Sequence, residues 1–131
     1  MIDVETDVFD YVYQDVSALV PTGCFKSVYV PSPPAFPFAT LIEADNVTDA
    51  RRRSTSSSEE YAILTYEANV YDTDKATCRT VMNALDAAMI RLGFVRTMTQ
   101  FVPNLADPTL FRYMARYRGE ADGRKVIYKY Q

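Results

Sequence analysis

A chain of 131 residues, 48% hydrophobic and carrying ten tyrosines, is long enough for one domain with a real core and short for two. The formal net charge of −3 gives no overall basic footprint for nucleic acid, and no apolar run reaches the ~20 residues of a membrane span. Histidine is absent, which removes the commonest general acid–base, the usual triad base and the commonest zinc ligand.

The start shows no basic stretch followed by an apolar run, so no signal peptide is expected. Cys24 and Cys78 lie far apart and form no CxxC, which reads as two reduced, packed thiols in a protein made in a cytosol.

The first predicted element is an amphipathic helix from Asp3 to about Val20. Asp3, Asp7, Asp10, Gln14 and Ser17 share one face; Val4, Val8, Val12, Val16 and Leu19 lie opposite, widened by Phe9 and Tyr13. That apolar sector is broader than the ~100° one core contact needs. Either Phe9 and Tyr13 serve a second contact or the helix is deeply seated. Pro21-Thr22-Gly23 ends it. Phe25–Val30 reads as a short strand, followed by a connector holding Pro31, Pro33, Pro34 and Pro37. Phe38–Asp45 reads as the next strand. Asn46–Ser58 is polar and aperiodic, the pattern of a mobile loop. Its Arg51, Arg52 and Arg53 either meet a partner's anions or mark a solvated tip.

Glu59–Tyr71 reads as a long strand, with Ala62, Leu64, Tyr66, Ala68 and Val70 on one face. Asp72-Thr73-Asp74 supplies capping side chains for a second helix running to Leu92. Its apolar face is Cys78, Val81, Met82, Leu85, Ala88, Met89 and Leu92, while Arg79, Asn83 and Asp86 point away. Gly93 sits where a left-handed cap would end the helix. Phe94–Val102 and Thr109–Arg118 follow as strands, the second with Phe111, Tyr113, Ala115 and Tyr117 opposite Arg112, Met114, Arg116 and Arg118. Asp122-Gly123 signals a hairpin with a return strand over Arg124–Tyr130. The expected fold is α+β. A single domain over residues 1–131 would hold a twisted antiparallel or mixed sheet on two main helices, closed by a C-terminal β-hairpin.

Little of this carries chemistry. Four glycines leave no phosphate-binding loop, and Asp72 and Asp74 read as helix-start residues before metal ligands. No catalytic residue, cofactor or metal is expected. Charge is uneven along the chain: Asp3, Glu5, Asp7, Asp10 and Asp15 precede the first base, while Arg112, Arg116, Arg118, Arg124, Lys125 and Lys129 crowd the end. Ends of opposite sign suit head-to-tail packing of identical subunits, or a contact between the two ends within one chain, or two ends that simply face water. Three arginines on one sheet face are costly unless that face is wet or paired. The candidate contact residues are therefore Phe9, Tyr13, Arg51, Arg52, Arg53, Arg112, Arg116 and Arg118.

Certain short motifs go further. Glu60-Tyr61-Ala62, Tyr66, Leu92-Gly93-Phe94-Val95-Arg96, and Phe111-Arg112-Tyr113 with Arg116-Tyr117-Arg118 after a turn containing Asp107 resemble the tail terminator (tail completion) proteins of tailed phages. The resemblance covers about Glu59 to Tyr130; the proline-rich connector and the Arg-Ser-rich loop depart from it. It implies a non-enzymatic structural subunit of the virion neck, made in the bacterial cytoplasm. The expected partners are further copies in a ring, commonly a hexamer, then the tail-tube protein and a head-side connector or adaptor. No membrane and no specific nucleic acid are implied, with DNA free to pass through the ring. The competing readings are another neck subunit, such as a head–tail adaptor or minor head-joining protein, and a small enzyme or nucleic-acid-binding protein using the arginine-rich hairpin.

Overall fold

The structure, a computed structural model, describes residues 1–49, 61–103 and 107–128. Helix α1 (Glu5–Val16) and a closing 3₁₀ turn (Ser17–Leu19) lead into strands β1 (Phe25–Lys26), β2 (Phe38–Thr48) and β3 (Tyr61–Asp72). Helix α2 (Lys75–Leu92) and strands β4 (Val95–Pro103) and β5 (Phe111–Asp122) follow. The five strands form one sheet in the order β1-β2-β3-β5-β4, with β1 parallel to β2 and every other pair antiparallel. The expected α+β architecture of a mixed sheet on two helices is the observed one.

Local sequence explains α2 well. Asp74 caps it, accepting from the Ala76 N–H at 3.3 Å and the Thr77 hydroxyl at 2.7 Å, bonds that hold its carboxyl below the usual range. Gly93 ends it at φ 114°, where a β-carbon would be strained. Between these caps Cys78, Val81, Met82, Leu85, Ala88 and Met89 are buried. They meet the buried face of β3: Ala62, Leu64, Tyr66, Ala68 and Val70. Each larger aliphatic side chain sealed here contributes about 1.5–3 kcal/mol of transfer free energy. The helix α1 adds Val8, Val12 and Val16 to the same cluster, and both helices lie on one face of the sheet.

Four local expectations change. The α1 end tightens to three residues per turn, which swings Leu19 off the apolar stripe and leaves it exposed. The first strand lasts only two residues, because the chain leaves the sheet at Ser27 toward a proline connector with few ladder donors. In contrast β2 runs on to Thr48, into the stretch expected to be loop; the rest of that loop lies outside the described residues. Strand β5 runs on to Asp122. After the turn the chain returns through an Ala121–Ile127 bridge, with Tyr128 N–H donating to Glu120 and Asp122 N–H to Val126. The turn is organised by Asp122, whose carboxylate accepts from the N–H groups of Arg124 and Val126, the Arg124 guanidinium and the Tyr128 hydroxyl. Burial opposes its charge, but these donors outweigh burial and lower its pKa.

The Leu92-Gly93-Phe94 corner is a packing device. The Phe94 ring meets Tyr66 edge-on at 5.2 Å and lies on Gly119, where an added β-carbon would come within 2.6 Å of it. Gly119 is thus required by a close approach across the sheet.

Candidate interaction surface

The eight candidate contact residues separate into two places. Phe9 and Tyr13 stand at the β1 edge, where their rings stack on Phe25 at 4.7 and 6.1 Å. On the wide face of α1, Phe9 is half-buried against Phe25, and Tyr13 stays 46% exposed. Arg112, Arg116 and Arg118 stand on β5, one strand in from the opposite edge, on the face without helices. Arg51, Arg52 and Arg53 lie outside the described residues.

The cross-strand register decides how the arginine stripe is accommodated. Arg112 is opposite Tyr71, Arg116 opposite Glu67, and Arg118 opposite Thr65. Arg112 donates to Asn69 Oδ1 at 2.9 Å and rests over the Tyr71 ring at 5.5 Å. Arg116 pairs with Glu67 at 3.5 Å, with half of its side chain exposed. Arg118 has no ion pair among the described residues and is partly exposed. The face is therefore paired at one end and wet at the other.

The acids gather elsewhere. Asn46 of β2 donates to the Ile2 carbonyl at 2.7 Å, which ties the start of α1 over β2. That brings Asp3 and Glu5 toward Glu43. The Glu43 pKa is raised, first by burial and then by repulsion from Glu5 and Asp3. Asp45 stands exposed across the bulge, in the Thr65 row. Neither Tyr66 Oη nor Asn46 Oδ1, both buried, has a hydrogen-bond partner among the described residues. This acidic margin was invisible in the linear sequence, because Glu43 and Glu5 meet only when α1 lies back over β2. The five acids ahead of Lys26 were the sole hint.

Elsewhere the structure absorbs polar groups into packing. Asp86, expected to point away, accepts from the Tyr117 hydroxyl at 2.8 Å and pairs with Arg96 at 3.1 Å. Cys78 donates its thiol to the Val70 carbonyl, and burial pushes its pKa up to about 11, opposite to what a nucleophile needs. An open groove of about 820 Å³ lies between Tyr11, Asp86, Ile90, Arg91, Val95 and Arg96. Among the described residues no three His, Cys, Asp or Glu side chains could hold a metal, and no helix is long and apolar enough to cross a membrane.

No protein-family model matches the chain, and no curated protein matches it. A solved structure does. The fold is similar to that of a chain in the virion of a native gene transfer agent particle, with a TM-score of 0.63 and 16% identity. The match covers 88% of this chain and 94% of that one, so the likeness takes in nearly the whole fold of both. At this identity it is a likeness of fold.

Proposed function

We propose that the protein is a structural subunit of a phage-like virion. In this reading it is the tail terminator, a ring that caps the last ring of the tail tube and offers a surface to the head. The observation that carries the virion reading is the fold shared, over 88% of this chain and 94% of the other, with a chain of a gene transfer agent virion. The terminator assignment rests on the sequence motifs, whose parts have structural work here. Gly93 and Phe94 form the corner under Gly119, and Arg112 and Arg116 are spaced along β5 so that each meets a β3 partner.

The mechanism is geometric, with no catalytic step. A ring on the growing end of the tube blocks further addition, and its outer surface binds the head-side connector while DNA passes through the lumen. Phe9, Tyr13, Arg112, Arg116 and Arg118 are the described contact candidates for neighbouring copies or partners. Electron microscopy of particles assembled without this chain tests the role. Tails of irregular or excess length are expected; normal tails on filled heads would overturn it. Density for the subunit beside the portal instead of the tube would make it a head-side adaptor.

A further inference from the structure

We propose that copies of this chain join head to tail, the β4–β5 edge of one docking on the β2 edge and α1 start of the next. This rests on the ring reading and names the surfaces that would build it.

The first argument is charge. The β2 edge presents Asp3, Glu5, Glu43 and Asp45, none of which has an ion pair among the described residues. The opposite edge presents Arg118, unpaired, with Arg116 and Arg96 each held by one carboxylate and about half exposed. Within one chain these edges form no ion pair with each other among the described residues. Asp45, Thr65, Arg118 and Val95 lie in one cross-strand row, so Asp45 and Arg118 are two strand spacings apart, roughly 9–10 Å.

The second argument is register. Asp45 and Val95 end the same row, so a second copy brought edge to edge at that row sets Val95 beside Asp45, with Arg118 one strand further in on the same face. The two surfaces differ, which makes the contact heterologous, and such a contact closes into a ring or runs on as a filament. An isologous pair would instead set acid against acid or base against base.

The third argument concerns the edges themselves. Each carries a bulge, at Glu43/Asp45 in β2 and Arg96/Met98 in β4. Bulges turn an edge away from an open ladder. The joint is therefore made by side chains: guanidinium on carboxylate, with exposed Val47 on one edge and Val95 and Phe101 on the other. Arriving guanidinium groups would also relieve the crowding of carboxylates around Glu43.

Thiol cross-linking tests this, since Cys24 and Cys78 are buried and leave introduced cysteines as the reactive groups. Ala44→Cys and Val95→Cys chains are prepared separately and treated with a bis-maleimide at low salt, alone and mixed. The mixture is expected to give linked pairs, and each chain alone none, because the two surfaces differ. Arg118→Glu on the Val95→Cys chain should reduce linking roughly tenfold or more, and Asp45→Arg on the Ala44→Cys chain should restore it. Asn83→Cys, on the exposed side of α2, is the control. Linking in the mixture no faster than with the control overturns the proposal, as does equal linking by either chain alone. Native mass separates this failure from that of the ring reading. Multimers that do not link through 44 and 95 refute these surfaces only. A chain that stays monomeric alone and with tail tubes refutes both.

Discussion

The two sides of the sheet solve the same problem differently. On the β5–β4 side polar groups are matched: the Tyr117 hydroxyl meets Asp86, Asp86 meets Arg96, Arg116 meets Glu67 and Arg112 meets Asn69. On the α1–β2 side they are not: Tyr66 Oη and Asn46 Oδ1 are buried without partners among the described residues, and Glu43 is crowded by Glu5 and Asp3. Tyr66 and Tyr117 are direct cross-strand neighbours, so the contrast arises within one residue pair. A satisfied side reads as finished by folding. An unsatisfied one carries a desolvation cost that folding does not offset.

The largest test of the finished side is Gly119→Ala. Its β-carbon would collide with the Phe94 ring, and the overpacking is expected to cost about 1–3 kcal/mol, measured by urea denaturation. A second pair of variants addresses the tyrosines. Tyr117→Phe loses a hydrogen bond to a carboxylate and should cost about 1 kcal/mol or somewhat more. Tyr66→Phe removes an unpaired hydroxyl and should leave the unfolding midpoint unchanged or raised. Equal losses would erase the contrast between the sides.

Glu43→Gln gives a smaller effect, with a sign that depends on pH. Because the folded-state pKa of Glu43 is raised, stability is greatest where the carboxyl is protonated. It declines as pH rises from the usual value of about 4.3 through the folded value. The Gln variant should melt above the wild type at pH 7, and the gap should close below about pH 4. Asp15→Asn is the smallest test. It breaks only the exposed pair with Arg91, and thermal melting should be almost unmoved.

Local pattern decided much of this protein without help. The spacing of Cys78, Val81, Met82, Leu85, Ala88 and Met89 gave α2 its buried face, and alternation did the same for β3, because helix and strand periods act within a few residues. The Asp74 cap and the Gly93 stop were equally readable, each resting on the chemistry of one side chain or its absence. The contact surfaces were only half legible. The arginine stripe on β5 follows from alternation, but its partners on β3 follow from register, which no short window contains.

Only the tertiary structure decided the remainder. Strand β1 stops after two residues because the proline connector departs, and Asp86 turns inward because Tyr117 arrives 31 residues later. The acidic margin exists because α1 lies back over β2, and the arginine stripe meets Asn69 and Glu67 because β5 inserts between β3 and β4. Sequence alone determined which residues are acidic, basic and apolar along each element. Folding determined that the acids of α1 and β2 gather at one side of the sheet while the β5 arginines stand one strand in from the other, since strand order is set by burying the shared core and not by the charges it carries outward.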